Sequence, residues 1–124
     1  MTLNEYQEKA MSTCMDSCNN FSYMMLNLVG EVGELSSKVA KMIRKEKFEI
    51  GGKSNLRVDI KAVNGDDMAI IDKELKLEAG DIAWQLAGLC KVFGWSLEDV
   101  CQANLDKLAS RKARGVIDGN GDER

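Results

Sequence analysis

Apolar residues recur along most of this chain at steps of three and four, the signature of helices buried on one side. Thr2-Leu3-Asn4-Glu5 reads as a capping box. Leu3, Tyr6, Ala10, Met11, Cys14 and Cys18 follow, predicting a first helix from about residue 3 to 18 that Asn19-Asn20 ends. Ser22 is placed to cap a second helix. Its stripe is Met25, Leu28, Val32, Leu35, Val39 and Met42, the most regular in the chain, lasting to about Arg44. The pattern lapses from 45 to 66, where Gly51-Gly52 and Asn64-Gly65 are turn signals and Leu56 to Ile60 alternates like a short strand. This predicts a long connection with room for a small hairpin. Asp66 or Asp67 caps a third helix with Met68, Ile71, Leu75, Ile82, Leu86, Leu89 and Phe93 on its stripe, ended by Gly94. Ser96-Leu97-Glu98-Asp99 opens a fourth, carrying Leu97, Val100, Cys101, Leu105 and Leu108, with Gly115 as its C-cap. The expected fold is all-α, an antiparallel four-helix bundle, with residues 1–124 as one domain. The tail 116–124 is polar and glycine-rich, suited either to mobility or to folding over a ligand.

Composition narrows the chemistry. With 124 residues, 44% hydrophobic and 30% charged, the chain is long enough for its own core. No apolar run approaches the ~20 residues of a membrane span, and MTLNEYQEKA lacks a basic-then-apolar signal, so the expected location is the cytoplasm. A net charge of −3 argues against a duplex nucleic-acid partner. Histidine is absent, which removes the usual general base and the commonest transition-metal ligand. Proline is absent too, so nothing interrupts long helices. Cys14, Cys18, Cys90 and Cys101 form no C-x-x-C pair and read as small apolar fillers in a reducing compartment.

Carboxylates fall where apolar residues belong. Between Leu75 and Ile82 the inward position is Glu78, and Asp81 shares its face. A carboxylate at a core position is costly unless something compensates. On the second helix, Glu31 and Glu34 border the buried stripe. The two local sequences correspond, Glu31-Val32-Gly33-Glu34 and Glu78-Ala79-Gly80-Asp81, each placing two acids on one side of a helical turn. Gly30, Gly33 and Gly80 lie inside helical patterns, each at about 1 kcal/mol relative to alanine, and would let a backbone or ligand approach. If the two helices pack together, four carboxylates converge. A divalent cation relieves such repulsion, and oxygen-only ligands select a hard ion, Mg²⁺ or Mn²⁺.

Basic residues flank this candidate centre. Lys38 and Lys41 continue the line of Glu31 and Glu34, and Arg44, Lys45 and Lys47 follow. On the fourth helix Asn104 falls at an inward position, and Asn104, Lys107, Arg111 and Arg114 form a polar stripe. Two readings of that stripe stand side by side: surface cations at a helix end, or donors for phosphate, which arginine binds bidentately. Carboxylate-held hard metals beside basic donors describe phosphate-ester chemistry, with a carboxylate taking the place of the missing histidine as proton acceptor.

At these residues the sequence resembles the MazG-like all-α nucleoside triphosphate pyrophosphohydrolases, whose pattern is E-x-x-E then E-x-x-D across a variable connection. Here the motifs stand as Gly30-Glu31-Val32-Gly33-Glu34-Leu35 and Glu78-Ala79-Gly80-Asp81-Ile82-Ala83-Trp84, with a similar ending in Asn104 to Arg111. The resemblance spans about residues 20 to 115. It implies Mg²⁺-dependent cleavage of a nucleoside triphosphate between the α and β phosphates, giving a monophosphate and pyrophosphate. By that likeness Glu31, Glu34, Glu78 and Asp81 bind metal, and one of Glu31 and Glu34 orients or deprotonates the attacking water. Asn104, Lys107, Arg111 and Lys38 contact phosphates, and Trp84 lines either a base pocket or the core. A homodimer or homotetramer with shared sites is implied. Gly30 stands where some members carry a further glutamate, which weighs against a three-metal arrangement. Two alternatives remain: a phosphoribosyl-ATP pyrophosphohydrolase-like enzyme, and a non-catalytic nucleotide-sensing or dimerisation module.

Overall fold

A computed structural model describes residues 1–45, 48–51, 59–62 and 68–123. Among them are four helices, α1 (Leu3–Met11), α2 (Phe21–Arg44), α3 (Met68–Phe93) and α4 (Leu97–Ala113), with a short 3₁₀ turn at Asp16–Cys18. Two strands, β1 (Phe48–Gly51) and β2 (Asp59–Ala62), stand between α2 and α3. They pair antiparallel in a register from Phe48 opposite Ala62 to Gly51 opposite Asp59. The all-α four-helix expectation holds, and a hairpin occupies part of the long connection. Of the expected strand, Asp59 and Ile60 fall in β2. Leu56 to Val58, the turn residues Gly52, Asn64 and Gly65, and the caps Asp66 and Asp67 lie outside the described residues. No helix among the described residues is long and apolar enough to cross a membrane.

The first helix is shorter than its apolar spacing suggests. The Thr2–Glu5 capping box forms in both directions, but α1 stops at Met11 rather than near Cys18. Ser12 Oγ donates to the Lys9 carbonyl at 2.6 Å and Thr13 Oγ1 to that of Ala10 at 2.7 Å. Hydroxyls that compete for helix carbonyls favour an ending there. The second helix starts two residues earlier than Ser22 would allow if it were the cap. Asn20 caps it instead, accepting from the Tyr23 amide at 2.9 Å. Gly94 (φ 71°) and Gly115 (φ 68°) close α3 and α4 in left-handed geometry. In each case two backbone bonds turn back onto the last helical carbonyls, as in Trp95 N–H to Cys90 at 2.8 Å and Val116 N–H to Arg111 at 3.0 Å.

Helices α2 and α3 run antiparallel and share the largest contact in the chain. Met24 lies against Gly88, Lys38 against Glu78 and Met42 against Ile71. The larger apolar cluster gathers Ala10, Met11, Met24, Ala87, Cys90 and Leu97, with Trp84, Cys14 and Cys101 packed on it. A smaller one holds Met42 and Ile71, flanked by Val39 and Leu75.

The stripe of α2 is rotated from its expected register in its first half. Met24 is wholly buried, whereas Met25 and Val32 are exposed. Gly88 makes the room: a Cβ there would sit 2.3 Å from Met24 Sδ. The rotation places Glu31, rather than Val32, on the half-buried side.

The fourth helix is docked only by its beginning. Gln7 ties it to α1 by accepting from the Leu97 amide at 2.8 Å and donating to the Trp95 carbonyl at 3.0 Å. Leu97 is buried, but every residue from Gln102 to Ser110 is exposed, with Leu105 at 60%. The expected inward position of Asn104 is therefore not found within this chain.

Gly88→Ala should lower stability by about 1–2 kcal/mol, overpacking against Met24 outweighing the helix-propensity gain. Gly80→Ala, whose added carbon meets nothing within 4 Å, should raise it by about 1 kcal/mol. Urea unfolding of both variants checks the pair; equal effects would contradict the packing account.

Candidate metal and phosphate site

The antiparallel register that sets Met24 against Gly88 and Met42 against Ile71 places Glu31 across from Glu78 and Asp81, between the two apolar clusters. One carboxylate oxygen from each of these three acids lies within 4.8 Å of the other two. Glu31 and Glu78 are half-buried and Asp81 is exposed. Asn27, one turn before Glu31, donates to its Oε1 at 3.0 Å. Lys38 Nζ meets Glu78 Oε1 at 2.5 Å.

Burial pushes the Glu31 carboxyl above its ordinary pKa, and the neighbouring charges of Glu34, Asp81 and Glu78 add to the rise while the Asn27 amide opposes it. Lys38 is shifted upward chiefly by its hydrogen bond to Glu78, burial pulling the other way. Tyr6 is raised too, by burial and then by Asp81. The centre therefore holds excess negative charge that one lysine only partly offsets.

These residues fit a hard divalent cation. All three donors are carboxylate oxygens, the type that Mg²⁺ prefers. Adjacent ligands of an octahedral ion at about 2.1 Å stand about 3 Å apart and opposite ones about 4.2 Å, so a small closure of the acids suffices.

Glu34 is exposed and outside the three-acid group, although near enough to act on Glu31. It lines a cavity of about 430 Å³ with Ser37, Lys38, Lys41, Arg44 and Glu78. Acids thus border one end of this groove and three cations the other. A second, smaller cavity of about 190 Å³ adds Lys45 and Glu74 to Lys38 and Lys41. Gly33 and Gly80 have no neighbour within 4 Å of an added Cβ. The close backbone approach expected beside them is absent among the described residues, and their faces stay open.

Four expected site residues lie elsewhere in the chain. The Trp84 indole N–H donates to the Ala10 carbonyl at 3.0 Å and to Thr13 Oγ1 at 2.9 Å, which ties α3 to the end of α1. Lys107 and Arg111, on the outlying part of α4, pair with Asp122 of the tail at 3.5 and 3.1 Å. Asn104 is exposed on the same helix.

Two further groups were not singled out by sequence. Asn27 carries a legible signal, an amide four residues before a glutamate on one helix. Gln85, one turn beyond Asp81, is buried with its Oε1 enclosed and without a hydrogen-bond partner among the described residues. Nothing in the spacing distinguishes it from a core position.

The MazG nucleotide pyrophosphohydrolase domain matches residues 19–116, so the chain belongs to the MazG nucleotide pyrophosphohydrolase family. The chain is also 37% identical over 131 residues to the Gene 37 protein of Mycobacterium phage L5, a similarity covering the full length of both. No solved structure matches.

Because folding raises the Glu31 pKa, this carboxyl stabilises the metal-free fold at low pH, and that contribution is lost as pH rises through the folded value. Glu31→Gln should therefore raise the melting temperature of the metal-free chain at neutral pH and abolish stabilisation by Mg²⁺. For the unaltered chain that stabilisation is about 2.7 kcal/mol at a concentration 100 times Kd. Thermal melts with and without Mg²⁺ decide; an unchanged Mg²⁺ response in the variant would remove Glu31 from the metal site.

Proposed function

We infer that this chain is a Mg²⁺-dependent nucleoside triphosphate pyrophosphohydrolase, cleaving between the α and β phosphates to give a nucleoside monophosphate and pyrophosphate. What carries the reading is the convergence of Glu31, Glu78 and Asp81 at the mouth of a groove lined by Lys38, Lys41 and Arg44. A bound Mg²⁺, held by Glu31, Glu78 and Asp81 with Glu34 at hand, would screen phosphate charge and polarise the bond under attack. Mn²⁺ offers the same donor preference.

The chain's own groups do the rest. Lys38, Lys41 and Arg44 bind the polyphosphate oxygens along the groove. Glu34 is the one acid of the four outside the three-carboxylate group, so its oxygens are free to take a proton from the attacking water. That water's oxygen stays with the monophosphate, and pyrophosphate leaves. Asn27 orients Glu31 through its hydrogen bond.

The working unit is a homodimer or homotetramer. Leu105 and Leu108 on α4 and Leu26, Val29 and Val32 on α2 leave two apolar helix faces open in a single chain. A second copy covering them would also bring Asn104, Lys107 and Arg111 to a neighbouring groove. All 124 residues act as one domain, in the reducing cytoplasm that four free cysteines suit.

Release of pyrophosphate from a panel of ribo- and deoxyribonucleoside triphosphates tests the reading. Activity should require Mg²⁺ and should fall at least about a hundredfold in Glu78→Ala. Nucleotide binding without any turnover would instead point to the sensing module. Equilibrium sedimentation should give a multiple of the 13.7 kDa chain mass, and a monomer at working concentration would contradict the shared-site arrangement.

A further inference from the structure

The tail beyond α4 makes one specific contact. Arg111 Nη2 donates to the Asp122 carboxylate at 3.1 Å, to the Asp122 carbonyl at 3.0 Å and to the Gly121 carbonyl at 3.4 Å. Gly121, in left-handed geometry at φ 79°, turns the chain so that two successive residues face the guanidinium. The same Asp122 oxygen reaches Lys107 Nζ at 3.5 Å. The tail wraps Arg111 so closely that the side chain is 5% exposed, yet Asp122 stays 87% exposed. The carboxylate is thus on the outside, where a dissolved anion can compete for its partners.

We propose that Asp122 is a built-in competitor of the substrate's phosphates, occupying the Lys107–Arg111 cation pair until a polyphosphate displaces it. This rests on the pyrophosphohydrolase reading, in which that pair contacts phosphate. The pairing is incomplete. One carboxylate oxygen serves both cations, and the Lys107 distance is beyond ordinary hydrogen-bond length. Arg111 Nε is enclosed and has no hydrogen-bond partner among the described residues. Nε and Nη2 form one edge of the guanidinium, the edge that a phosphate engages with two oxygens at once. Asp122 fills half of it. A phosphate would complete the edge, reach Lys107 with a third oxygen and free the tail. The consequence is a common weakening: the tail lowers the apparent affinity of every anion for this pair by the same factor, so only a tightly held polyphosphate keeps it displaced.

Titration calorimetry of inorganic tripolyphosphate with Mg²⁺ tests this on the full chain and three variants. Asp122→Asn should bind tripolyphosphate about three- to fivefold more tightly, the scale of one exposed ion pair removed. A chain ending at Asp118 should show the same gain, which guards against a local disturbance by the asparagine. Lys107→Ala should bind more weakly than the unaltered chain. Weaker binding in Lys107→Ala with no gain in Asp122→Asn or in the shortened chain overturns the competitor role and leaves the proposed function standing. No loss in Lys107→Ala overturns the phosphate role of the α4 stripe, and the competitor role with it.

Discussion

Three carboxylates wedged between two apolar clusters on one helix pair set the terms for the rest of this molecule. Above them Met24, Ala87 and Cys90 close a dry core, and below them Met42 and Ile71 close a second. Between the two, Glu31, Glu78 and Asp81 interrupt what would otherwise be a continuous apolar seam. Packing on either side fixes the backbone positions from which the three acids project. Repulsion at the centre is therefore tolerated by the fold, and the charge is available to whatever cation enters. Asn27 and Lys38 moderate the repulsion without removing it.

A second regularity links distant parts of the chain. Cations that the family resemblance assigns to phosphate are each held by an internal acid: Lys38 by Glu78, and Lys107 with Arg111 by Asp122. Long basic side chains would otherwise sample many conformations. Pairing with a carboxylate holds each of them in one place. The Lys107–Asp122 pair is exposed on both sides and screened by solvent, whereas Arg111 is enclosed and only its acid partner faces water.

Much of this was legible in the chain itself. The Thr2–Glu5 box, the Ser96 cap, and Gly94 and Gly115 at the helix ends follow from local chemistry and appear as read. The juxtaposition of Glu31 with Glu78 and Asp81 was also readable, because both acid pairs repeat on helices joined by one connection. The failures share a cause. Periodicity marks which residues lie on one face, not what covers that face. Helix α2 has two apolar faces, and only the space at Gly88 reveals that Met24 rather than Met25 turns inward. Asn104, Leu105 and Leu108 form a sound stripe that this chain leaves uncovered. The spacing of Trp84 suits a core position and a base pocket equally, and only its indole N–H, which ends on Ala10 and Thr13, separates the two. Asp122 lies in a segment with no periodicity, so nothing local announces its pairing.

The most direct test of the central claim is anomalous diffraction from a crystal of the chain grown with Mn²⁺. The account predicts a strong anomalous peak bounded by carboxylate oxygens of Glu31, Glu78 and Asp81. An ion bound elsewhere, with those three side chains turned apart toward solvent, would contradict it.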